Sequence, residues 1–89
     1  MPWAKLLQDI RRRVDARRDH ILILTVEEIR AATGTDQNID KLWWWEMVAN
    51  QTALGTEPLA PYGLCCEPRL LSDRVYAVTF TLAAELNGP

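Results

Sequence analysis

Trp3, Leu6, Leu7, Ile10 and Val14 recur at intervals of three and four, with charged residues filling most of the positions between them. That is the spacing of one buried helical stripe, and it predicts a first helix over residues 3–18. Asp19-His20 breaks the pattern. The run Ile21-Leu22-Ile23-Leu24, apolar and bounded by polar residues, then predicts a short strand over 21–24. Thr25-Val26-Glu27-Glu28 reads as a capping box: the Thr25 hydroxyl accepts from the Glu28 backbone N–H, and the Glu28 carboxylate accepts from the N–H of Thr25. Both glutamates suit the positive field of a first helical turn. Ile29 and Ala32 continue the buried stripe and Gly34 supplies a stop, so a second helix is predicted over 26–33.

Thr35-Asp36-Gln37-Asn38 is a polar connection in which Asp36 or Asn38 is available as an N-cap. A third helix follows over 39–50, with a further turn of helix over 51–54 before Gly55, Pro58 and Pro61 break the chain into a loop. Residues 64–71 read as a strand that Pro68 confines to an edge or a bulge. Ser72-Asp73-Arg74 is a tight turn. Residues 75–82 form the strongest strand pattern, with Tyr76, Val78, Phe80 and Leu82 on one face and Ala77, Thr79 and Thr81 on the other. Asn87-Gly88-Pro89 is a fraying tail. There are no internal repeats, and 89 residues make a single domain, 1–89.

The third helix carries an unusual run, Leu42-Trp43-Trp44-Trp45. Successive helical residues point about 100° apart, so three consecutive indoles sweep roughly 200° of circumference. One core-facing stripe is only about 100° wide or slightly more, and at least one indole must pack elsewhere. With Ile39 at 0°, Leu42 falls at about 300° and Trp43 at about 40°, which places Trp43 in the core. Trp45 shares the side of Leu42 and Ala49. Trp44, at about 140° with Val48 beyond it, is the odd one out. The expectation is therefore an exposed patch of Trp44, Met47 and Val48, and indoles are among the residues most enriched where proteins bind.

Composition adds an asymmetry. The net charge of −2 divides into +3 over residues 1–20, where Lys5 and five arginines face three aspartates, and −5 over the remainder. The first helix is a basic plank on an acidic body. Little in the chain suits catalysis. There is one His (His20), one Ser (Ser72) and no glycine-rich phosphate loop, so no nucleophile–base constellation assembles, and the chain is expected not to be an enzyme. Cys65 and Cys66 are adjacent, which fits two reduced thiols on opposite faces of a strand and lacks the spacing of a zinc site. No metal or cofactor is expected. With no apolar run long enough to span a bilayer and no signal-peptide core, the expected location is cytoplasmic.

The order helix, short strand, helix, turn, helix, strand, turn, strand, with the capped segment Leu24-Thr25-Val26-Glu27-Glu28-Ile29-Arg30, resembles the winged helix-turn-helix arrangement. The resemblance implies an α+β fold, winged-helix-like, with three helices and a small antiparallel sheet made of a short strand and a C-terminal hairpin. It places the recognition helix at 39–50 and the wing at 64–82. It also implies nucleic-acid contacts: Arg11 and Arg12 on phosphates, Gln37, Asn38 and Lys41 near the start of the third helix, and Arg69 and Arg74 on the wing. Against this, Lys41 is the only cation of that helix, and Asp36, Asp40 and Glu46 lie on or beside it. The leading expectation is instead a small interaction protein that docks on a partner protein through Trp44, Met47 and Val48, with Arg12, Arg13 and Arg17 of the basic helix. Its compact size is that of inhibitors encoded by phages and mobile elements, such as anti-CRISPR proteins. A winged-helix transcriptional regulator is the alternative, and homodimerisation through the third helix is compatible with both.

Overall fold

The computed structural model describes residues 2–46, 53–54 and 57–83. Helix α1 spans Pro2–Ala16, with Pro2 at the first helical position, where its missing N–H costs nothing. It ends two residues before the predicted stop. The Arg17 N–H bonds the Val14 carbonyl, the His20 N–H bonds that of Arg17, and His20 takes a left-handed φ of 55° that turns the chain into the sheet. Strand β1 is Ile21–Thr25 and helix α2 is Val26–Thr33. The capping box on α2 is complete. Thr25 N–H donates to Glu28 Oε1 at 2.9 Å, and Glu28 N–H donates to Thr25 Oγ1 at 3.1 Å. Gly34, at φ 70°, closes the helix by donating its N–H to the Arg30 carbonyl at 2.7 Å.

Helix α3, Leu42–Trp44, starts three residues later than predicted, with Lys41 rather than Asp36 or Asn38 as its N-cap residue. The cause is a distant partner. Lys41 pairs with Arg74 in an antiparallel bridge, and the Val75 N–H donates to the Asp40 carbonyl at 2.9 Å. This extended pairing holds residues 40–41 out of the helix. The predicted continuation over 47–50 lies outside the described residues, as does the tail 87–89. Residues 53–54, predicted as a turn of helix, instead form strand β2 (Ala53–Leu54), paired with β3 (Glu57–Pro58). Here a local strand ladder overrides helix propensity.

Strands β4 (Leu64–Leu71) and β5 (Arg74–Leu82) form the predicted hairpin, with Ser72 at φ 57° in its turn. The sheet order is β1-β5-β4, antiparallel throughout, so β5 is central and β4 an edge, where Pro68 is tolerated. Arg69 pairs with Ala77 but Leu70 pairs with Val75, which leaves Tyr76 as an extra residue on β5. This bulge inverts the alternation: Val78 and Phe80 point inward above it and Val75 below it, while Tyr76 turns outward. The expectation that Tyr76 shares the inner face is thereby corrected.

Among the described residues the chain is a small α+β fold of three helices and a three-stranded antiparallel sheet, compatible with a winged-helix-like arrangement. The core draws on every one of these elements. Leu7, Ile10 and Val14 of α1 meet Leu22 and Leu24 of β1, Ile29 of α2, Trp44 and Trp45 of α3, and Cys66, Val78 and Phe80 of the hairpin. Each such aliphatic side chain contributes about 1.5–3 kcal/mol when fully buried.

Candidate interaction surface

The late start of α3 decides which indole is free. The core-facing side of this helix is set by Trp44 and Trp45, which are 3% and 1% exposed. Trp43 lies roughly 200° around the helix from Trp45, and it is 50% exposed. One indole of the three does fall outside the core, but it is Trp43, and the expectation of an exposed Trp44 is corrected. The projection from Ile39 failed because Ile39 belongs to the preceding turn, not to the helix. Both buried indoles have their polar edge satisfied. Trp45 Nε1 donates to the Ile39 carbonyl at 2.7 Å, and Trp44 Nε1 donates to Gln37 Oε1 at 2.9 Å. Their rings meet edge to face, 5.0 Å between centroids.

Gln37 ties this indole pair to the hairpin. Its carbonyl accepts from Arg30 Nη2 at 3.2 Å; Arg30 Nη2 also approaches Asp40 Oδ1 at 3.4 Å, and the other Asp40 oxygen lies 3.6 Å from Arg74 Nη1. Arg30, Asp40 and Arg74 line a groove of about 310 Å³ between α2 and the hairpin tip, together with Val26, Glu27, Leu71, Val75 and Tyr76. Leu71, 69% exposed, and Tyr76 rim it, and Leu70 is exposed nearby. The result is an aromatic and aliphatic surface around a guanidinium held in place by a carboxylate.

The arginines of α1 have a different setting. Arg12 pairs with Asp9, and Arg13 Nη1 lies 3.5 Å from the same carboxylate. Arg17 Nε lies 3.3 Å from Asp19. Arg11 donates from Nε to Asp15 at 2.9 Å and from Nη1 to the Tyr62 carbonyl at 2.8 Å, bracing the 3-10 turn Ala60–Tyr62. An anion approaching α1 therefore meets carboxylates among the guanidiniums. The hairpin arginines are similarly engaged, with Arg69 Nη1 donating to Thr79 Oγ1 at 3.3 Å and Arg74 on Asp40. Asn38 is exposed, Lys41 is half-buried, and Gln37 is committed to Trp44. Met47 and Val48 lie outside the described residues.

Cys65 and Cys66 are free thiols, half-buried and buried respectively. Burial, and secondarily the neighbouring Cys65, pushes the Cys66 thiol up to about 12, so it stays protonated and is a poor nucleophile. No group of three His, Cys, Asp or Glu among the described residues is placed to hold a metal ion, and no described helix is long and apolar enough to cross a membrane.

Sequence reasoning missed Trp43, Leu71 and Tyr76. A period-two argument reaches one part of this surface: Leu70 and Leu71 are adjacent in a strand, so both cannot face the core. Nothing in the sequence marks the bulge that turns Tyr76 outward. The chain matches no known family, no curated protein and no solved structure.

Proposed function

We propose that this chain is a binding module, not an enzyme, and that it acts by docking on a partner protein as a small inhibitor or adaptor. The observation that carries the reading is Trp43, an indole half in solvent on a helix whose two neighbouring indoles are buried and hydrogen-bonded. A large rigid ring with an N–H at its edge is the kind of side chain on which binding energy concentrates. Leu71 and Tyr76 provide a second exposed apolar area, on the hairpin, and Arg12, Arg13 and Arg17 supply positive charge on α1. The test is affinity capture followed by calorimetry with the captured partner. Trp43→Ala and Leu71→Glu are expected to weaken binding at least about tenfold while leaving the melting temperature unchanged. Undiminished binding by both variants overturns the reading.

A second reading, a winged-helix DNA-binding regulator, is favoured by one observation. The turn end of the β4–β5 hairpin meets the start of α3 through the Lys41–Arg74 bridge, an arrangement compatible with a wing beside a recognition helix. Binding to mixed-sequence DNA that weakens steeply with salt, and that is lost in Arg69→Ala/Arg74→Ala, supports this alternative over the first.

A further inference from the structure

The outer edge of β1 carries an arrangement that neither binding surface requires. Ile21 N–H donates to Asp19 Oδ1 at 3.1 Å, and Thr25 N–H donates to Glu28 Oε1 at 2.9 Å. These amides therefore point away from β5, and in an antiparallel strand the N–H and C=O of Ile23, between them, point the same way. Among the described residues β1 pairs with β5 alone. The strand thus presents a free edge on which two of three outward amides are taken by carboxylates, one from each end. Ile21 and Ile23 also expose their side chains on the outer face of the sheet.

We propose that the edge of β1 is a latent strand-addition surface for a second copy of this chain, held shut by Asp19 and Glu28. Charge complementarity argues for the second copy. Antiparallel pairing of two β1 strands about a two-fold axis lays the Arg17–Arg18 end of one copy beside the Glu27 end of the other. The exposed isoleucines of both copies then form one apolar ribbon across the joined sheets. With the carboxylates in place, Ile23 alone offers a donor, too few bonds to hold two edges together. Both carboxyls sit below their ordinary range, Asp19 first through the Ile21 amide and then Arg17, and Glu28 through the amide and hydroxyl of Thr25. They are ionised acceptors at neutral pH.

Light scattering over a concentration series tests the proposal on the full chain. Asp19→Ala/Glu28→Ala is expected to form dimers where the natural chain is monomeric. Asp19→Asn/Glu28→Gln, which keeps the carbonyl acceptors and removes the charge, is expected to stay monomeric. Adding Ile23→Pro to the alanine pair removes the outward N–H at an edge position that tolerates proline, and is expected to restore the monomer. If loss of the Glu28 cap unfolds α2, Asp19→Ala alone decides. Each added hydrogen bond tightens association about fivefold, and a two-fold axis doubles the number of bonds, so about 25-fold is expected for Asp19→Ala and about 600-fold for the double variant. The proposal is overturned if the folded alanine variants remain monomeric, if Ile23→Pro leaves their dimer intact, or if the amide pair dimerises as readily as the alanine pair.

Discussion

The α1–β1–α2 segment and the α3–hairpin-tip region solve the same problem, satisfying backbone and side-chain polar groups, by opposite means. In the first, most partners are close in sequence: Thr25 with Glu28, Asp19 with Ile21, Arg12 and Arg13 with Asp9, Arg11 with Asp15 alongside its longer reach to Tyr62. In the second they are distant: Lys41 with Arg74, Asp40 with Val75 and Arg74, Trp44 with Gln37. Local bonding makes an element independent of its surroundings. Distant bonding makes the conformation of α3 depend on the hairpin.

The sharpest break of this comparison is within α3 itself. Trp45→Ala removes a fully buried ring and its bond to the Ile39 carbonyl, and is expected to destabilise the fold by about 3–5 kcal/mol in denaturant unfolding. Gln37→Leu leaves the Trp44 N–H without its acceptor, for an expected loss of about 1–3 kcal/mol in the same measurement, although Gln37 itself is exposed. Thr25→Ala tests the local side and is expected to lose about 1 kcal/mol, the ordinary value of an N-cap. At the small end, Trp43→Ala is expected to change stability by less than about 0.5 kcal/mol, as surface substitutions do.

Acid sharpens the contrast from the other direction. The folded-state carboxyls of Asp19 and Glu28 are held below their ordinary 3.8 and 4.5. Their contribution is complete above those ordinary values and is lost as pH falls through the lowered ones. Thermal melting followed from pH 7 to pH 2 is expected to show stability falling below about pH 4.5. Asp19→Asn/Glu28→Gln flattens that fall, because neither amide titrates.

The same division explains what the sequence reveals. The bounds of α2, its capping box and its Gly34 stop are legible because every participant lies within four residues of its partner. The β4 strand and its edge position are legible from Pro68, whose missing N–H admits few alternatives. The start of α3 is not, because Lys41 joins Arg74 rather than the helix. That shift of three residues rotates the whole projection and exchanges Trp44 for Trp43 as the exposed ring. Tyr76 is misassigned for a similar reason, since a bulge is a property of two strands together and leaves no mark in either one.

The distribution of indoles also makes the molecule its own optical probe. All four tryptophans are described, and Trp3, Trp44 and Trp45 are sequestered from water. Emission excited at the red edge, and collisional quenching by a neutral solute, therefore select Trp43 against three shielded fluorophores. A ligand that lands on this helix shifts the spectrum to the blue without any dye attached, and one that lands elsewhere leaves it where it was.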